Sequence, residues 1–160
     1  MNAQELFELA PLGARVTFTD GTPRPPDRFN KKLRAWKDNN DAGYFMGVKP
    51  GDGKHDWSKD GFVLRTLDDP VLIINRHFGT EGNKTFEVTP PAPGTIIATS
   101  KYNGEAEHIW RDMNAARTWA YHPREGASYA FDKQSWLYFI VAEDGTLKQA
   151  TKVTATEIEL

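Results

Sequence analysis

The sequence predicts a single α+β domain over residues 1–160, a mainly antiparallel curved sheet or partial barrel with two to three packed helices. Three observations lead there. Seven or eight short segments are rich in β-branched and aromatic residues, and most are joined by brief turn signals. Only two or three segments carry a helical apolar period. The strands do not alternate with helices, which argues against a doubly wound sheet and for antiparallel pairing.

The elements follow in chain order. Asn2 and Glu5 are spaced as a capping box, with Leu6, Phe7, Leu9 and Ala10 beyond them. This predicts a short helix over about 2–10, stopped by Pro11 and Gly13. Ala14–Thr19 reads as a strand entering the turn dipeptide Asp20-Gly21. Thr22-Pro23-Arg24-Pro25-Pro26 is a stiff extended connector. A helix is expected from about 26 to 38, started by Pro26 or Asp27. Its Phe29, Leu33 and Trp36 form one narrow apolar stripe, so the helix should lie on the surface with that stripe facing the core. Tyr44–Val48 is strand-like, 49–61 a polar loop, and Phe62–Thr66 a strand before an Asp68-Asp69-Pro70 turn. Strands are also expected at Val71–Asn75, Thr85–Thr89 and Thr95–Thr99, with a turn over Gly79–Asn83 and a rigid break at 90–94. Ala106, Ile109, Trp110, Met113 and Ala116 recur at helical spacing, predicting a helix to about Arg117 capped by Asn103. The C-terminal part reads as a hairpin, Trp136–Ala142 and Thr146–Val153 around Glu143-Asp144-Gly145.

Composition narrows the function classes. The chain has 39% hydrophobic and 26% charged residues and no cysteine. Disulfides, thiolate catalysis and cysteine-ligated metals are therefore excluded, and a cytoplasmic, reducing location is expected. The first ten residues carry acids and no basic region, unlike a signal peptide, and no apolar run is long enough for a bilayer, so no membrane partner is expected. Net charge is −2, yet residues 22–37 hold six cations, Arg24, Arg28, Lys31, Lys32, Arg34 and Lys37, against Asp27 alone. That segment is +5 and the other 144 residues sum to −7. Such asymmetry marks a surface for nucleic acid or another polyanion, because cations there replace phosphate counterions. Phe29 and Trp36, sharing the apolar stripe, are expected as core anchors rather than platforms for bases. The plainer alternative is a solvated amphipathic helix.

A second candidate lies in Arg117, Trp119, Tyr121, His122 and Arg124, expected in a loop after a helix, where two arginines and flanking aromatics suit a small anion or nucleotide. Structural roles for these aromatics compete with that reading. The loop Gly47–His55 departs from a phosphate-binding loop: five residues separate Gly47 from Gly53, and His55 rather than Ser or Thr follows Lys54. Asp52, His55, Asp56 and Asp60 lack calcium-loop spacing. Glu105, His108 and Asp112 would share one helix face, without a zinc-helix motif. No nucleophile elbow or dinucleotide fingerprint occurs, so a binding protein without cofactor is favoured over an enzyme. Three function classes remain open: a nucleic-acid-binding module acting through the basic helix, a protein-interaction or inhibitory factor with a larger partner, and a nucleotide or small-ligand binder or enzyme using loops 49–60 and 117–125.

Overall fold

The computed structural model describes residues 1–55, 58–66, 75–120, 136–150, 152–153 and 158–159, with backbone alone for 117–120, 152–153 and 158–159. The chain is α+β, with antiparallel sheets and three helices among the described residues, and it divides into two compact units, Met1–Pro90 and Pro91–Leu160. Among the described residues no helix is long and apolar enough to cross a membrane.

The first unit opens with α1 (Ala3–Leu9). The capping box forms as expected: Glu5 N donates to Asn2 Oδ1 and Asn2 N to Glu5 Oε2, both at 2.8 Å. Five strands follow, β1 (Arg15–Thr19), β2 (Asp41–Lys49), β3 (Gly61–Thr66), β4 (Asn75–Gly79) and β5 (Thr85–Thr89), with α2 (Asn30–Lys37) between β1 and β2. Their order in the sheet is β4-β3-β2-β1-β5, all antiparallel, so β1 pairs with both its successor and the last strand. Alternation along β1 sends Val16 and Phe18 inward and leaves Arg15 and Thr19 exposed. Val16, Phe18, Phe45, Phe62, Leu64 and Phe86 build the core together with Ala3 and Leu6 of α1. Phenylalanine rings cross the whole sheet: Phe78 of edge strand β4 lies 5.3 Å from Phe62, 5.0 Å from Phe18 and 5.8 Å from Phe86 of the opposite edge. Edge-to-face and offset ring contacts of this kind add to area burial. The expected strand 71–75 lies outside the described residues except for Asn75, which starts β4.

The second unit holds the four-stranded sheet β7-β6-β8-β9, from β6 (Ile96–Ser100), β7 (Ala106–Trp110), β8 (Trp136–Val141) and β9 (Leu147–Gln149), with α3 (Met113–Ala120). Ile96, Ala98, Trp110 and Tyr138 pack with Ala116 of α3. A short pair, β10 (Lys152–Val153) and β11 (Ile158–Glu159), completes the described backbone. The C-terminal hairpin forms at β8 and β9, its turn closed by Ala142 N donating to Thr146 O at 2.8 Å, but its second strand ends at Gln149 and the expected extension at Lys152–Val153 pairs with β11 instead. The expected helix over 106–117 does not. Residues 106–110 are strand β7, paired with β6 through Trp110↔Ile96 and His108↔Ala98. The apolar set at 106, 109, 110, 113 and 116 also reads as a strand followed by a helix. Pairing with β6 decides the first half, and Asp112 starts the helix by accepting from Ala115 N at 2.7 Å. Asn103 caps only a local turn, accepting from Glu105 N at 3.1 Å.

Candidate nucleic-acid interface

Residues 20–40 leave the five-stranded sheet after β1 and return at β2, forming an arm whose foot is a small polar cluster. Asp20 Oδ1 accepts from Thr22 N at 3.0 Å, Thr22 Oγ1 at 2.6 Å and Asn40 Nδ2 at 2.9 Å. These bonds favour the charged carboxylate, and the Thr22 hydroxyl is the largest contributor in holding Asp20 down at about 2. Asn40, only 7% exposed, joins both ends of the arm. Its Oδ1 accepts from Thr19 Oγ1 and from Asp20 N, while its Nδ2 also donates to Trp36 O at 3.0 Å. Trp36 Nε1 donates across the arm to Thr22 O at 2.8 Å. Arg76 of β4 donates to the C-cap carbonyl of Asp38 at 3.0 Å and pairs with Asp41 at 3.3 Å, and Lys84 donates to Asn39 Oδ1 at 2.7 Å. The arm is therefore tied at both ends to strands of its own unit.

Helix α2 starts later than expected. Asp27 pairs with Arg24 at 2.7 Å instead of capping a helix, and a turn closed by Phe29 N to Pro26 O at 3.0 Å precedes Asn30. Phe29 is the N-cap, with φ −100° and ψ 64° and no side-chain cap hydrogen bond. Because Phe29 is not helical, it leaves the stripe of Leu33 and Trp36. Those two are half-buried, whereas Phe29 is 41% exposed. The expectation that Phe29 anchors the core is corrected by this geometry. The Arg28 guanidinium lies 4.9 Å from the Phe29 ring centre and the Lys32 ammonium 5.5 Å.

No residue of α2 is buried, which agrees with the expected surface helix. Arg28, Lys31, Lys32, Arg34 and Lys37 are exposed and have no ion-pair partner among the described residues; Arg24 is the one cation of the segment offset by an acid. Lys31 and Lys32 occupy the first turn, which holds no acid, so their charge adds to the positive end of the helix.

The second candidate is not assembled within the described residues. Arg117 and Trp119 belong to α3 rather than to a loop, and Tyr121, His122 and Arg124 lie outside the described residues. In the loop after β2, Asp52 Oδ1 accepts from Lys54 N at 2.9 Å and His55 N at 3.1 Å, Asp52 Oδ2 meets His55 Nδ1 at 2.7 Å, and Gly51 N donates to Asp60 Oδ1 at 2.7 Å. The His55 contact leads the causes that lower the Asp52 pKa. These polar groups satisfy one another around an open groove of about 520 Å³ that Lys59 and Glu81 also line. Asp56 of this loop lies outside the described residues. Among the described residues no three His, Asp or Glu side chains are grouped to hold a metal.

Glu105, His108 and Asp112 do not share a helix face, since His108 sits on β7 and Asp112 precedes α3. His108 instead stacks on Trp110 at 5.3 Å and meets Trp136 at 4.9 Å, beside Tyr138, whose hydroxyl burial pushes up to about 12. The alternation of residues 106, 108 and 110 was the signal for this cluster. For Asn40 the only sequence signal was a polar run ending a helix.

A family model matches residues 1–131, and the chain belongs to that family, described as uncharacterised conserved protein UCP036055. No curated protein and no solved structure matches the chain.

Proposed function

We propose that this chain, as a member of that conserved family, is a binding protein that contacts nucleic acid through the arm between β1 and β2. The observation that carries the reading is the set of five exposed cations on and beside α2, which have no ion-pair partner among the described residues. Surface helices of ordinary stabilising design place acids in the first turn and intersperse opposite charges. Here Lys31 and Lys32 oppose the helix dipole and no acid follows within α2, an arrangement that costs stability unless an anion occupies it. Phosphates spaced along a strand meet that requirement and release condensed counterions on binding. The ties from Asn40, Arg76 and Lys84 support a preorganised arm, which lowers the entropy lost on association. The ring contacts between Phe78 at one sheet edge and Phe86 at the other support a curved sheet as the frame of the arm.

The test is a titration of labelled oligonucleotides at low and at physiological salt. Binding should weaken steeply with salt, with a slope of about 0.7 to 0.9 per phosphate contact. The combined Lys31→Glu, Lys32→Glu and Arg34→Glu variant should lose binding while keeping its fold, because all three side chains are exposed. Wild-type affinity in that variant would sink the proposal.

A further inference from the structure

Resting on the reading of α2 as a nucleic-acid surface, we infer that the ligand is single-stranded and that Phe29 is the platform on which one of its bases stacks. Three features of the arm lead to this. Phe29 is a large apolar side chain 41% exposed on a charged arm, outside the core stripe of Leu33 and Trp36. The Arg28 guanidinium lies over its ring, 4.9 Å from the centre, and the Lys32 ammonium 5.5 Å from it. An aromatic face with mobile cationic side chains held against it matches the alternation of base and phosphate along an unpaired strand. Lys31, Arg34 and Lys37 extend the cationic surface along α2, so neighbouring phosphates meet further charge.

A duplex offers the same phosphates but keeps its base faces inside the stack, where Phe29 does not reach them. An acidic peptide offers charge without flat faces at a regular spacing. In the free protein the two cations rest against the ring. A base entering over Phe29 displaces the ammonium of Lys32 outward, where it meets the adjoining phosphate, while the guanidinium of Arg28 is itself planar and stacks. Arg28 and Lys32 thus act on both the ring and the backbone of the strand, and Phe29 selects the unpaired state.

The full chain is titrated with a labelled oligothymidylate and with a duplex of matched charge, following anisotropy. Wild-type protein is expected to prefer the single strand. Phe29→Ala should weaken single-strand binding roughly ten-fold or more, with duplex binding and the salt slope unchanged. Phe29→Trp should retain affinity, with its indole emission quenched by the stacked base. Phe29 packs outside the core, and the circular dichroism of both variants checks that the arm persists. Equal single-strand affinity in wild type and Phe29→Ala, or a preference for the duplex, overturns the inference and leaves the nucleic-acid reading standing. Absence of binding to either probe at low salt overturns both.

Discussion

Asp20 Oδ1 accepts three hydrogen bonds at the foot of the arm, and none of its donors is available to a protonated carboxyl on the same terms. Its folded-state pKa of about 2 lies below the ordinary 3.8. A depressed carboxyl contributes stability that is fully present above its unfolded pKa and is lost as pH falls through its folded value. Asp52 and Asp144 are lowered too, so acid weakens several turns at once, and a comparison is needed to isolate Asp20. The urea midpoint of the wild type should therefore fall more between about pH 5 and about pH 2 than that of Asp20→Asn, which has no proton to take up there. Equal falls in the two proteins would show that Asp20 has no such role. At this scale the sequence was informative where the chemistry is local. The Asn2 and Glu5 box and the Asp20-Gly21 turn depend on neighbours a few residues away and were legible. Phe29 was not, because its position follows from Asp27 choosing Arg24 over a helix N-terminus, and one displaced turn moves a ring from the core stripe to the surface.

Among the ties that hold the arm, Asn40 is the buried one. Asn40 bonds Thr19, Asp20 and Trp36, so it links the end of β1, the turn after it and the last turn of α2. Asn40→Ala leaves those groups short of partners in a part-buried site, and a loss of about 1–3 kcal/mol in urea denaturation is expected. Oligonucleotide affinity should fall as well, since the cations then sit on a looser helix, while the salt slope stays near the wild-type value because their number is unchanged. A variant with wild-type stability and affinity would remove Asn40 from this account. The basic segment was legible as charge in the sequence, but its tether was not, since Asn39 and Asn40 differ only in which one faces the foot of the arm. The error at β7 is also one of scale. Residues 106–116 satisfy a helical period across what is a strand, a capping residue and a helix, and only the hydrogen bonds from β6 distinguish the two readings.

At the scale of the whole molecule, the two compact units and the single domain expected from the sequence make different predictions. The first unit has its own phenylalanine core, and its N-terminal residue closes on it by reciprocal hydrogen bonds at 2.8 Å between Met1 and Phe86 backbone groups. Every bond described for the arm lies within residues 1–90. Residues 1–90 hold thirteen Lys and Arg against thirteen Asp and Glu, a net charge of zero, while residues 91–160 hold seven against nine and carry the −2 of the chain. Removing the second unit therefore removes a net repulsion toward polyanions without touching the cations of α2. A fragment of residues 1–90 is expected to unfold cooperatively, to show a dispersed amide spectrum and to bind oligonucleotides at least as tightly as the full chain, with the gain largest at low salt, where screening is weakest. A fragment that does not fold would return the chain to one cooperative domain. A fragment that folds but does not bind would place part of the binding surface in residues 91–160, and the arm alone would then be too little to hold a strand.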